Sequence, residues 1–290
     1  MEITLALGGG GAKGNAHIGI LRRLQQENIR ITAIAGTSFG GLVAVFYALG
    51  YTPDQIEDTF AALDQTQLYG TAPEEGPSLL GLAGATRWLT AQLGQKTFAD
   101  LQIPCALTAT DLQCGCEVTL SHGSLVDSLL ATIAVPGIFP ARHLGPWELV
   151  DGGVLNPVPV ATARALRPDL PVVAVVLTSA LGTPAQTWNI PLPNYLPKPL
   201  VDRIGKLRYA QALETFSRAL DVVYRAATEY RLQVDKPEVI LRPAVTDIDL
   251  LAQVDVRAVA RAGEAAVEAA LPEIKALFTW QSRLRRTLGV

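Results

Sequence analysis

Short apolar runs alternate with stretches of helical period along the first half of the chain. Residues 3–7 form a mostly apolar run of strand length. Beyond a glycine stretch, Ile18, Leu21 and Leu24 recur at helical spacing with Arg22, Arg23 and Gln25 opposite. Residues 31–35 predict a second strand. Residues 42–49 predict a helix that is apolar on all sides, hence buried, and that stops at Gly50. Thr52-Pro53-Asp54-Gln55 then opens another helix, with a capping hydroxyl, a proline in the first turn and a glutamine at the capping-box position. Strands alternating with buried helices predict a mostly parallel sheet covered on both faces.

Residues 68–94 break this alternation. They are rich in Gly, Pro and Thr but carry Leu79, Leu80, Leu82 and Trp88, and predict an excursion over one end of the sheet. Residues 106–112 and 117–121 predict a hairpin around Gln113-Cys114-Gly115. Ser124 caps a helix expected to run to Pro136, residues 147–150 form a strand delivering Asp151, and residues 172–177 form a buried strand. Residues 183–199 hold five prolines beside Trp188, Ile190, Leu192, Tyr195 and Leu196, which predicts a surface segment bearing large apolar groups. Residues 201–232 and 256–278 are helical in pattern, with Pro272 expected to start a new helix, and residues 239–241 predict a last strand. No clean linker divides the chain, so 1–290 is expected to be a single domain, with a core over about 3–180 and a helical part over about 200–290.

With 49% hydrophobic residues, the chain can bury a sizeable core without staples. A formal charge of −3 argues against nucleic acid as a partner, and Arg283, Arg285 and Arg286 read as a solvated helix face. Three cysteines, Cys105, Cys114 and Cys116, fit a reducing compartment as structural residues; with only three histidines in the chain, no metal site is expected. Residues 31–53 are uncharged and long enough to span a bilayer, but they contain Gly36-Thr37-Ser38 and Gly40-Gly41. A strand, a tight turn and a buried helix explain the same composition. No signal peptide is read at Met1-Glu2, and a soluble, cytoplasmic protein is expected.

Three glycine signatures carry the chemistry. Gly36-Thr37-Ser38-Phe39-Gly40 lies between a predicted strand and a buried helix, where G-x-S-x-G places a serine hydroxyl on a sharp, strained turn at the end of a sheet. An ordinary tight turn with an incidental serine has the same pattern. Asp151-Gly152-Gly153 ends a short strand, and its glycines let the backbone approach another segment; a desolvated carboxylate there can serve as base for a serine. Of the histidines, neither His122 nor His143 sits in a recognisable catalytic context, and His17 is expected to pack or hydrogen-bond near the glycine loop. Gly9, Gly11 and Gly14 after a strand also match the dinucleotide fingerprint, with Glu27 as its acid. Either way, consecutive N–H groups at a helix start form an anion site. Ser38 favours an oxyanion over a pyrophosphate.

With these residues in place, the chain resembles the patatin-like phospholipases, and most of all the small bacterial members related to neuropathy target esterase. Gly9-Gly10-Gly11-Ala12-Lys13-Gly14 matches G-G-G-x-[KR]-G, Gly36 to Gly40 matches G-x-S-x-G, and Asp151 to Gly153 matches D-G-[AG]. Ala134-Val135-Pro136-Gly137-Ile138-Phe139-Pro140 is similar to the family's proline-rich approach to the aspartate, with Ala141 where a second proline is usual. The resemblance covers about residues 3–180. It implies a three-layer α/β/α sandwich with Ser38 as nucleophile, Asp151 as base and Gly9, Gly10 and Gly11 as oxyanion hole. Lys13, Gly14, Gly36, Gly40 and Gly152 are implied as supporting residues. It implies no cofactor and no metal. The activity implied is hydrolysis of carboxylic esters of lipids through an acyl-serine, with acyl transfer by the same dyad and nucleotide binding as rivals. Residues 79–88 and 188–196, apolar groups in Gly- or Pro-rich stretches, are expected to border the site mouth and to receive the acyl chain or make transient contact with a membrane surface, with burial as satellite core as the alternative.

Overall fold

The structure, a computed structural model, describes residues 1–64, 67–70, 76–188 and 208–279. In chain order its elements begin with β1 (Glu2–Leu7), α1 (Ala16–Gln26), β2 (Arg30–Thr37), α2 (Phe39–Ala48) and α3 (Pro53–Ala61). There follow α4 (Ala83–Leu93), β3 (Cys105–Asp111), β4 (Cys116–Leu120), α5 (Leu125–Thr132), β5 (Arg142–Leu144) and β6 (Trp147–Asp151). The chain continues with α6 (Val160–Leu166), β7 (Val172–Val175), α7 (Arg208–Asp235), β8 (Val239–Leu241) and α8 (Val256–Ala276).

One sheet runs β5-β6-β3-β2-β1-β7-β8, with β4 also paired to β3. β1, β2, β3, β7 and β8 are parallel, while β4, β5 and β6 run antiparallel to their neighbours. Because alternate strand residues point to opposite faces, each strand feeds two layers. Ile3, Leu5 and Leu7 join Ile18, Leu21 and Leu24 of α1 and Val256, Val259 and Ile274 of α8 in the larger core. Ala6, Ala35 and Ala174 face the other way, with Val160 and Ala163 of α6 and Leu232 of α7. This is the sheet covered on both faces that the alternation predicts, and the three-layer α/β/α arrangement that the resemblance implies.

Several local expectations are corrected. The excursion at 68–94 contains a regular helix, α4, whose Leu89 and Leu93 are buried. α5 is capped by Ser124, whose hydroxyl accepts from the Asp127 amide, but it ends at Thr132, short of Pro136. Proline disfavours helical backbone at the residue before it, and Ala134 instead turns its carbonyl to the amide of Asp151 at 2.9 Å. Pro272 starts no new helix: α8 continues through it. The carbonyl deprived of a donor belongs to Glu268 on the exposed side, while Val267 and Ile274 hold the helix in the core. β5 was not foreseen; its three residues are short and only partly buried. Cys105 is buried, as a structural cysteine would be, but Cys114 and Cys116 are exposed and joined as a disulfide across the β3–β4 turn. Tyr195, like the rest of 189–207, and the arginines at 283, 285 and 286 lie outside the described residues.

Candidate active site

Strand register brings the serine and the aspartate together. β4 occupies one edge of β3 from Leu107 to Asp111, so β2 and β6 must share the other. β2 runs parallel to β3 and ends with Thr37 opposite Thr108; β6 runs antiparallel and ends with Asp151 opposite Ala109. The two strands therefore meet head to head, and the residues at their ends, Ser38 and Asp151, converge.

Ser38 takes φ 54 and ψ −127, left-handed backbone that a side chain rarely adopts. Small neighbours make the turn feasible. A β-carbon on Gly36 would lie 2.5 Å from the Gly40 carbonyl oxygen, and one on Gly40 would lie 2.4 Å from that of Leu7. Threonines hold the elbow: the Ser38 amide donates to Thr132 Oγ1 at 2.9 Å, and Thr132 Oγ1 donates to the Thr108 carbonyl at 2.7 Å. Thr37 Oγ1 pairs with Thr108 Oγ1 at 2.7 Å and donates to the Asn156 carbonyl at 2.9 Å.

Asp151 is wholly buried, and burial pushes its carboxyl up to about 6. Hydroxyls of Ser38 and Tyr224 and the amide of Gly153 oppose that rise. The Gly153 amide donates to Oδ1 at 2.7 Å, and Oδ2 has no hydrogen-bond partner among the described residues. Both hydroxyls are close neighbours of the carboxylate. Gly152 lets the turn press on β3, since a β-carbon there would lie 2.4 Å from the Thr108 carbonyl oxygen.

The glycine loop divides in role. Gly9 lies against Ser38, and its amide donates to the Pro157 carbonyl at 2.9 Å, which anchors the loop. The amides of Gly10 and Gly11 have no acceptor among the described residues and remain as candidate donors. Gly14 abuts the Phe39 ring, where a β-carbon would come within 2.2 Å. Lys13 is buried, which lowers its pKa, and its Nζ donates to Gln186 Oε1 at 3.0 Å. The Gln186 amide donates to Asp221, which pairs with Arg225 at 2.5 Å. His17 serves the loop, with its Nε2 bonded to the Gly8 carbonyl at 2.8 Å and its pKa lowered by burial to about 4. His122 bonds Ser121, and neither it nor His143 lines a cavity that reaches Ser38.

Ser38 stands between two cavities. The larger, about 130 Å³, is walled by apolar groups including Phe39, Leu42, Phe60, Trp88, Phe139 and Leu251. From the predicted mouth segment, Ala85 and Trp88 of α4 line it, in a helix and not the irregular loop expected, together with Leu82 just before that helix; Leu79 is exposed. The smaller, about 40 Å³, is lined by Gly10, Lys13, Asp151, Thr178, Gln186 and Tyr224. Trp188 borders it, and the remainder of the second mouth segment lies outside the described residues. Sequence reasoning missed Thr132 and Tyr224, whose parts come from packing. Asp111, Cys114 and Cys116 present possible ligand atoms within 4.8 Å of one another, but the two sulfurs are bonded to each other and are not thiolates. No helix among the described residues is long and apolar enough to cross a membrane.

The patatin-like phospholipase family model matches residues 5–164. An NTE family protein of Mycobacterium tuberculosis is 33% identical over 188 residues, covering 64% of this chain and 51% of that protein. An NTE family protein of Mycobacterium bovis is 28% identical over 279 residues, covering 93% and 46%. Patatin-like phospholipase domain-containing protein 7 of Rattus norvegicus is 28% identical over 175 residues, covering 57% and 13%. This chain thus spans about half the length of the mycobacterial relatives. VipD from Legionella pneumophila shares the fold at a TM-score of 0.56 with 12% identity, over 94% of this chain and 66% of that one.

Proposed function

This chain belongs to the patatin-like phospholipase family, and from that premise we propose that it is a serine acyl hydrolase cleaving carboxylic esters of lipids, phospholipids or lysophospholipids foremost. The observation that carries the reading is the strained Ser38 elbow set beside the buried carboxylate of Asp151, with Ser38 in the wall of an apolar cavity.

In this mechanism Ser38 Oγ attacks the ester carbonyl carbon while Asp151 takes the hydroxyl proton. The oxygen that becomes negative lies toward the free amides of Gly10 and Gly11, donors already fixed before charge develops. Asp151 then passes its proton to the departing alcohol, leaving the acyl group on Ser38. Water attacks next, Asp151 again accepts the proton, and the acid leaves with Oγ restored. A carboxylate with a pKa of about 6 is ionised near neutrality yet basic enough to take part in both halves. The acyl chain occupies the apolar cavity. The hydrolase is one domain over 1–290, whose part beyond residue 200 contributes Tyr224 to the site.

Labelling with a fluorophosphonate tests the proposal without any guess at the alcohol. Wild type is expected to be labelled on Ser38 and to hydrolyse short and long acyl esters, and Ser38→Ala to do neither while melting like wild type. Labelling that survives in Ser38→Ala would end the assignment.

A further inference from the structure

A second hydroxyl lies beside the Asp151 carboxylate, brought there from far along the chain. Tyr224 lies on α7, with its ring edge-on to Trp188 at 6.0 Å between centroids. It packs so closely on Gly153 that a β-carbon there would come within 2.4 Å of Cε1. Asp151 would tolerate a residue with a β-carbon two places on only if Tyr224 moved. The phenol oxygen is buried with no partner in strict geometry, and so is Asp151 Oδ2. A donor and an acceptor therefore stand in adjacent side chains, and buried polar atoms are seldom left unpaired. Burial first, and the Asp151 charge second, hold the phenol protonated, so it is a donor at every working pH.

We infer that Tyr224 is a positioning residue for the catalytic carboxylate, donating its hydroxyl proton in a hydrogen bond to ionised Asp151 and thereby holding it charged and turned toward Ser38. This rests on the dyad reading above. The other groups facing Asp151 are accounted for. Ser38 is the proton's source, and Gly153 holds Oδ1. On α7, Asp221 and Arg225 pair with each other, and from the glycine loop Lys13 is tied to Gln186. A hydrogen bond to a carboxylate favours its charged form. Losing the Tyr224 bond leaves burial less opposed, so Asp151 holds its proton to higher pH.

The test is the pH dependence of kcat/KM on a short, soluble ester for wild type and Tyr224→Phe. The acid limb is expected to move to higher pH by about one unit, a tenfold loss on the acid side that exceeds the loss on the plateau. A limb that stays in place, whatever happens to the plateau or the melting temperature, would reduce Tyr224 to packing. Should the Phe variant fail to fold, 3-fluorotyrosine at position 224 keeps the shape and strengthens the donor, and is expected to move the limb to lower pH; no movement overturns the inference. Asp151→Asn separates the two claims. An active Asp151→Asn enzyme removes the dyad itself, whereas an inactive one beside an unmoved Tyr224 limb removes only the role of Tyr224.

Discussion

His17 and Asp151 are both wholly buried beside the glycine loop, and burial moves their proton affinities in opposite directions, His17 down to about 4 and Asp151 up to about 6. Near neutrality the histidine is therefore uncharged and the aspartate ionised. That is the state a carboxylate base requires, and it leaves His17 as a donor to the Gly8 carbonyl.

The first expected outcome concerns the rate. kcat/KM should rise as pH passes through about 6 and level off above it, because Asp151 is a base only when ionised. Asp151→Asn should lose several orders of magnitude in kcat, since the amide cannot accept the serine proton. Alanine at His122 or at His143 should leave most activity. A folded His122→Ala or His143→Ala variant as inactive as Asp151→Asn would make the site a triad.

Stability should follow the same protons. For Asp151, with a folded value raised from 3.8 to about 6, the native state binds more protons in that window, so its burial costs stability increasingly as pH rises through it. Asp151→Asn should gain on the order of 3 kcal/mol at pH about 8 and lose that gain toward pH about 4. His17 has the opposite sign: lowered from 6.5 to about 4, it withdraws stability as pH falls through that range. Thermal melts of both proteins across this range check it. Equal melting temperatures at pH about 8 would mean that Asp151 is not desolvated.

A misplaced oxyanion donor should show in kcat. A β-carbon on Gly10 would sit 3.0 Å from the Leu177 side chain and push the loop aside. Gly10→Ala should cut kcat by about 10²–10³ with little change in KM. A change confined to KM would place the oxyanion elsewhere.

The apolar cavity should select acyl length. Ala85 lines it from α4, and Ala85→Phe fills space the chain would occupy. We expect kcat/KM on octanoyl esters to fall at least tenfold more than on acetyl esters, with a stability cost of about 1–3 kcal/mol for overpacking. Equal losses on both substrates would show that the acyl chain lies outside this cavity.

What was legible in the sequence were features whose causes are local. Gly36 and Gly40 flank Ser38 because that turn admits no β-carbon on either side, and the capping box at Thr52 and Gln55 is formed as read. Strand and helix periods along the first half gave the layers, because alternation and burial are written into each element separately. Whatever depends on two distant segments was hidden. Gly9 has the motif of an oxyanion donor, but its amide is taken by Pro157, far along the chain. Tyr224 looks like any other aromatic on a helix until α7 lays it on Gly153. Pro272 breaks no helix because the carbonyl it leaves unpaired faces outward, a fact of burial and not of propensity.

Placing the reactive oxygen in the wall between two unlike chambers has a consequence for the order of turnover. With the acyl chain in the larger chamber, as proposed, the departing alcohol and the incoming acceptor share the smaller one, and so must take turns. At about 40 Å³ that chamber has room for about three water molecules. On the proposed mechanism deacylation therefore waits for the alcohol to leave, and an excess of that alcohol should slow release of the acid.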